Sequence, residues 1–262
     1  MAQSVLITGA GGGLGAAAAS AFARRGWTVY AADLTPPAAA AGLVPVRMDV
    51  TATKSVEQAI AGLGTSELQC VVTLAGVLGV GPLAEMDDAK LQRVIDVNVM
   101  GTHRVVRAAF PLLSAGNGRI ILISSETGWQ PAMPFNGAYA LSKHAVEAYG
   151  DALRRELAPL GVPVSIIQPG PFRTGMTASI EAAFADATID GSPFAERVRK
   201  AGRLAAAQHE KAHDPGVLAA VIVEAATKST PKLRYSVRPD RARALASRLP
   251  VRVVDSILRR AL

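Results

Sequence analysis

Short, wholly apolar runs alternate with helix-length segments along most of the chain, and few folds accommodate that order. Residues 4–8, 28–33, 44–48, 70–74, 119–124 and 163–168 have strand length, and 234–237 is a seventh candidate. Between them, 14–25, 53–63, 90–113, 139–160 and 214–226 read as helices. Gly26 closes the first helix. Asp214 caps the last, with Pro215 in its first turn, and a bend is expected near Gly101. Strands this uniformly apolar must be covered on both faces, as in a parallel sheet. Right-handed crossovers then make the fold a three-layer, doubly wound α/β sheet. A length of 262 residues, 50% of them apolar and 19% charged, suits one globular domain of this kind. The Pro/Ala stretch at 36–41 is a loop, not a domain boundary.

The formal charge of +7 is unevenly placed. From Lys228 onward ten Lys or Arg stand against Asp240 and Asp255, a net of +8, which leaves −1 for the residues before it. The tail, 241–262, reads as one or two short amphipathic helices interrupted at Pro250. No nucleic-acid recognition motif accompanies the charge. We therefore take the tail as a solvated basic face, ahead of a nucleic-acid or membrane-surface role. The first 23 residues carry no charge, but they lack a basic start and are broken by glycines, unlike a signal peptide. Residues 68–84 are also uncharged, and glycines and Pro82 interrupt them, unlike a membrane span. A single cysteine, Cys70, excludes a disulfide within the chain and reads as a buried strand residue. The expected location is the cytoplasm.

Thr8-Gly9-Ala10-Gly11-Gly12-Gly13-Leu14-Gly15 joins the first strand to the first helix. Glycines there let the backbone turn tightly and approach a pyrophosphate, while the following helix offers free N–H groups and its positive end. Asp33 closes the second strand. A carboxylate at this point accepts hydrogen bonds from the adenosine ribose and repels a 2′-phosphate. No Lys or Arg lies in the loop or between Asp33 and Val46, so NAD(H) is expected ahead of NADP(H). The alternative for Asp33 is a simple turn cap.

Tyr139 and Lys143 share one helix face, being four residues apart. A phenol titrates near pH 10, and a neighbouring ammonium would lower that value. Ser124 and Ser125 end the fifth strand, at the sheet edge where ligands of open α/β sheets bind. A hydroxyl there can stabilise a developing alkoxide. Asn98, on the helix before, could hold a water in a proton relay, or be a buried amide satisfied by backbone. His209 and His213 lie four apart without a third ligand, and no metal site is expected.

Together these residues resemble the short-chain dehydrogenase/reductase family over nearly the whole chain. Thr8-Gly9-xxx-Gly13-x-Gly15 is similar to its cofactor motif, Tyr139-xxx-Lys143 to its catalytic pair, and Ser125, three residues before Gly128, to its catalytic serine. Asn98 resembles the fourth member of the tetrad. Asp49-Val50 resembles the site near the adenine ring. Pro169-Gly170-Pro-Phe172-Arg-Thr174 resembles the segment that meets the nicotinamide. The resemblance implies a Rossmann fold. It implies Tyr139 as general acid/base, Ser125 on the substrate oxygen, Lys143 on the nicotinamide ribose and Asn98 on a water. Two departures stand out. Thr73-Leu74-Ala75-Gly76 replaces Asn-Asn-Ala-Gly, with Thr73 able to take over one local hydrogen bond. The Ser125–Tyr139 spacing is one residue longer than usual, so Ser124 remains a second candidate, and a bulge around 131–134 could absorb the insertion.

Ser-Glu-Thr-Gly-Trp, Ala-Leu-Ser-Lys-His and Leu-Arg-Arg-Glu-Leu look most like the steroid- and retinol-dehydrogenase branch. Residues 175–213 lack clean periodicity and read as a mobile substrate lid. Met133, Phe135, Phe172, Met176 and Ile180 suggest a pocket for a lipophilic secondary alcohol or ketone. The family resemblance implies a homodimer or homotetramer assembled through the two long helices. The alternative function is a non-catalytic NAD(H)-binding sensor or scaffold.

Overall fold

The computed structural model describes residues 3–175, 179–210 and 212–261. Among these, seven parallel strands form one sheet in the order β3-β2-β1-β4-β5-β6-β7. The strands are β1 (Ser4–Thr8), β2 (Thr28–Asp33), β3 (Leu43–Arg47), β4 (Cys70–Thr73), β5 (Arg119–Ile123), β6 (Val164–Pro169) and β7 (Arg234–Val237). The third lies one residue earlier than the sequence suggests. The strand order reverses between β1 and β4, which opens a crevice at their carboxyl ends.

Side chains alternate along each strand, so β1 feeds both cores. Val5 and Ile7 face α1 (Gly13–Ala23) and α8 (Pro215–Thr227), where Ala18, Ala19 and Phe22 meet Leu218, Ala219 and Ile222. Leu6 faces the other way, toward Val56 and Ile60 of α2 (Thr53–Ala61), Val105 and Ala109 of α4 (Gly101–Ala115), and Val146 of α5 (Gly137–Leu157). The doubly wound, three-layer, single-domain reading holds.

The long helix expected over 90–113 is two helices, α3 (Asp88–Ile95) and α4, joined by a π turn at Asp96–Met100. The bend thus comes just before Gly101, and Asn98 sits within the wide turn, a feature common at functional sites. Arg104 braces it, bonding the Asp96 carboxylate at 2.7 Å and the Val50 carbonyl at 3.1 Å. Asp214 caps α8 as expected, accepting from the Gly216 N–H at 2.7 Å.

The proposed lid is not irregular. It contains α6 (Ile180–Asp186) and α7 (Ala195–Glu210), which close over a small core of Val80, Phe184, Ala187, Val198 and Ala201. The tail forms α9 (Arg241–Ala246) and α10 (Val251–Ala261), with the break at Pro250 as expected. No helix among the described residues is long and apolar enough to cross a membrane.

Candidate active site

Between Thr8 and Gly13 the chain leaves the sheet edge and enters α1, which forces a close approach to β4. Gly9 has φ 70°, and a Cβ there would lie 2.8 Å from the Ala75 nitrogen. A Cβ on Gly15 would lie 2.0 Å from the Gly9 carbonyl oxygen. Only glycine permits either contact. The Thr8 hydroxyl accepts from the Ala75 N–H at 3.2 Å, fastening the loop to the exit of β4. Gly12 occupies the N-cap of α1 and offers no capping side chain, so the first-turn amides stay free for an anion.

Above the loop lies a cavity of about 510 Å³. It gathers Thr8, Gly9, Gly13, Leu14, Gly15, Asp33, Asp49, Val50, Ala75, Gly76 and Thr174, residues that the sequence scatters over 167 positions. The glycine cradle, the bare helix end and this cavity fit a dinucleotide. Asp33 holds the loop as well as lining the cavity: its two oxygens accept from the Gly11 N–H at 3.0 Å and the Thr35 N–H at 3.1 Å. Asp33 is therefore a turn cap that also lines the cavity. Arg93 of α3 also lines the cavity, a role that no motif marks. Thr73 takes over no hydrogen bond, which corrects the sequence expectation. Its hydroxyl is buried without a partner among the described residues, because Thr8 holds the neighbouring amide instead.

The acid–base group forms where β5 meets α5. The Ser124 hydroxyl donates to the Lys143 carbonyl at 3.3 Å and is spent on packing. The Ser125 hydroxyl lies beside that of Tyr139 and favours its phenolate, and it accepts from the Thr127 N–H at 3.2 Å. Geometry thus separates the two serines. The extra residue before Tyr139 is absorbed at Met133–Asn136, where Phe135 takes φ 65°, an uncommon state for a bulky side chain. The Gly81 N–H pins it there by a 2.8 Å bond to its carbonyl.

Lys143 is buried, lies 5.6 Å from the Tyr139 ring centroid and donates to the Ile123 carbonyl at 2.9 Å. Burial pulls its pKa down to about 8, partly opposed by the Glu147 carboxylate. Burial pushes the Tyr139 phenol up to about 12; the Ser125 hydrogen bond works against this rise, and the Glu126 charge adds to it. The expected lowering of the phenol by Lys143 is not what the site shows. A poorly solvated site disfavours both charges, and the ammonium is engaged over the ring and on a carbonyl. Asn98 is satisfied by protein: its amide clasps Val77 N–H and C=O at 2.8 and 3.0 Å and donates to Ser142 at 3.0 Å. It is the backbone-satisfied amide of the two sequence alternatives, and it fixes the wall beside Gly76 and Lys143.

The 169–174 segment is split. Thr174 reaches the loop, 3.3 Å from where a Gly13 Cβ would sit. Pro169 and Gly170 continue the β6–β7 pairing, with the Gly170 N–H on the Val237 carbonyl at 2.9 Å. Phe172 is only 2% exposed, lies in the α1/α8 core, and lines neither cavity. A second cavity, of about 490 Å³, opens beside the start of α5. Met133 and Phe135 line it as expected, but Ile180 packs instead into the α6–α7 core, and Met176 is outside the described residues. Its further walls are Leu83, Phe194 and, from α10, Leu258 and Arg259.

Sequence reasoning also missed Glu126, next to Ser125. Its buried carboxylate accepts from the Asp240 N–H at 2.6 Å and pairs with Arg243 at 3.3 Å, joining the serine loop to α9.

Comparison with known proteins agrees with this geometry. The sequence profile of the short chain dehydrogenases matches residues 3–184. The chain is 32% identical to the uncharacterized oxidoreductase YbbO of Escherichia coli K12, over 98% of this chain and 94% of that protein. It is 32% identical to retinol dehydrogenase 5 of Mus musculus, over 97% and 87% of the two chains. A crystal structure of a Burkholderia cenocepacia short chain dehydrogenase in complex with NADP has the same fold, with TM-score 0.76, 23% identity and coverage of 98% and 97%. The chain is a member of the short-chain dehydrogenase/reductase family of oxidoreductases.

Proposed function

We propose that this oxidoreductase interconverts a lipophilic secondary alcohol and its ketone with NAD(H). The observation that carries the reading is the Ser125–Tyr139–Lys143 group at the sheet edge, with Ser125 and Lys143 buried and Tyr139 half-buried, beside the glycine cradle. The bound nicotinamide supplies or accepts the hydride. The chain supplies the proton and the positioning. Tyr139, held neutral by burial, donates its phenolic proton to the ketone oxygen as negative charge develops there. Ser125 donates a hydrogen bond to the same oxygen. Lys143 holds positive charge beneath the tyrosine and would hold the nicotinamide ribose, while Asn98 fixes the neighbouring wall. Asp49 and Val50 would hold the adenine end, and Thr174, with the Pro169–Gly170 strand end behind it, the nicotinamide end. Ser125→Ala should lower kcat about 10²-fold, whereas Ser124→Ala should leave kcat within a few-fold, a contrast that steady-state kinetics would reveal.

The walls of the 490 Å³ cavity, chiefly Met133, Phe135, Leu83, Phe194 and Leu258, support a lipophilic substrate covered by the α6–α7 lid. Turnover of small polar sugars alongside refusal of every hydrophobic alcohol would sink that assignment. The Asp33 carboxylate in the cofactor cavity supports NADH over NADPH. Calorimetric titration should show NADH binding at least about tenfold tighter, with the margin shrinking in Asp33→Ser. Preference for NADPH would mean that Arg93 governs the ribose end. Exposed Met100, in the π turn before α4, and Leu141, on α5, support a homodimer or homotetramer. The lone buried Cys70, its thiol pushed up to about 12 by burial, supports a cytoplasmic protein.

A further inference from the structure

Helices α9 and α10 were expected to present a solvated basic face. Their exposure pattern is different. On α10, Val254 turns into the body, and Asp255, Leu258 and Arg259 line the second cavity. The opposite side is open: Val253 is 44% exposed and Ile257, one turn on, 52%. The Pro250 turn adds Leu249 at 41% and Val251 at 74%, and α9 adds Leu245 at 63%. Five aliphatic side chains thus face outward within 13 residues of a 262-residue chain.

Arginines are interleaved with them. Residues 241–262 carry six Arg against Asp255, a net of +5. Arg243 is taken by Glu126, while Arg241, Arg248, Arg252, Arg259 and Arg260 make no ion pair among the described residues. Clustered aliphatic groups ask for an apolar contact, and the unpaired cations ask for a negative one. A second copy docked on this face by two-fold symmetry would set +5 against +5. A nucleic acid would meet the charge but leave the aliphatic groups in water. An anionic bilayer satisfies both demands, with aliphatic groups at the acyl boundary and guanidinium groups among the headgroups.

We propose that α9 and α10 dock the protein reversibly on anionic lipid bilayers, lying in the plane of the interface. The inference rests on the tail and not on the redox reading. It has one consequence for that reading: the docked helix is also a wall of the apolar cavity, so a lipophilic substrate would enter from the lipid side.

The test is flotation of the full-length protein with vesicles of phosphatidylcholine and phosphatidylglycerol in equal parts, against phosphatidylcholine alone. Binding to the mixed vesicles is expected to be at least about tenfold stronger and to fall in high salt. Val253→Ser/Ile257→Ser and Arg252→Gln/Arg260→Gln should each lose at least about tenfold of it. Both variants should keep native turnover of a water-soluble alcohol, because none of the four side chains lines either cavity. Equal partition into both vesicle types, or undiminished binding by the variants, overturns the proposal. So does a sedimentation experiment in which Val253→Ser/Ile257→Ser dissociates a native oligomer while vesicle binding persists, since the face then belongs to a second copy.

Discussion

Tyr139→Phe should cost about 10³-fold in kcat, within the range spanned by general acid–base groups, while NADH binding stays within about twofold of native. The substitution keeps the ring and removes only the hydroxyl that carries the proton. The protein should be no less stable, since a buried hydroxyl is replaced by apolar surface. The pH profile makes the claim sharper. With the phenol pushed up to about 12, the native enzyme holds a proton donor throughout the physiological range. Ketone reduction should start from the correct protonation state, whereas alcohol oxidation needs the phenolate and should climb with pH. In Tyr139→Phe the residual oxidation should lose that climb. A non-catalytic sensor predicts the opposite: NAD(H)-dependent output unchanged by losing one hydroxyl.

Lys143→Met separates function from stability in one substitution. A pKa lowered to about 8 means that folding buries an ammonium at neutral pH against its preference for water. The shift corresponds to a penalty on the order of 3 kcal/mol. Methionine fills similar space without charge, although the hydrogen bond to the Ile123 carbonyl is lost. The net expectation is a gain of about 1–2 kcal/mol at pH 7, read as a higher Tm. Activity should fall at least about 10²-fold. The sign of the pH dependence is fixed. Between about 8 and 10.5 the unfolded chain keeps the lysine proton and the folded one does not, so native stability rises through that window. The advantage of the variant should be full below pH 8 and fade as pH approaches 10.5. A variant that is both inactive and less stable at pH 7 would show that the Ile123 bond outweighs the buried charge.

The five inner strands were legible because each is buried on both faces, which leaves an unbroken apolar run such as Val5-Leu-Ile7 or Ile120-Ile-Leu122. The glycine loop and Asp33 were legible because backbone approach admits few residue types. The lid helices were not. α6 and α7 cover a core of only a few side chains, so their apolar stripes are thin, and Gly202 sits inside one of them. Phe172 was misplaced for a related reason. A motif fixes the order of 169–174 but not which side chains turn into the core. The Glu126–Arg243 pair spans 117 positions, and an arginine within a basic tail carries no mark of its partner. The two serines could be told apart only once the Lys143 carbonyl and the Tyr139 hydroxyl were located in space.

The contact between α1 and α8 has a consequence for biosynthesis. The Ala18, Ala19 and Phe22 face of α1 is covered by Leu218, Ala219 and Ile222, some 200 residues later on the chain. At about 5–20 residues per second, the ribosome needs roughly 10–40 s to deliver that cover. During this interval β1 can already pair with β2 and β4, yet the face that α1 and α8 share is covered by α1 alone. A nascent chain of this protein is therefore a sustained client for whatever shields apolar surface at the ribosome exit, and arrest before α8 emerges should leave a collapsed, sticky product rather than a smaller folded domain.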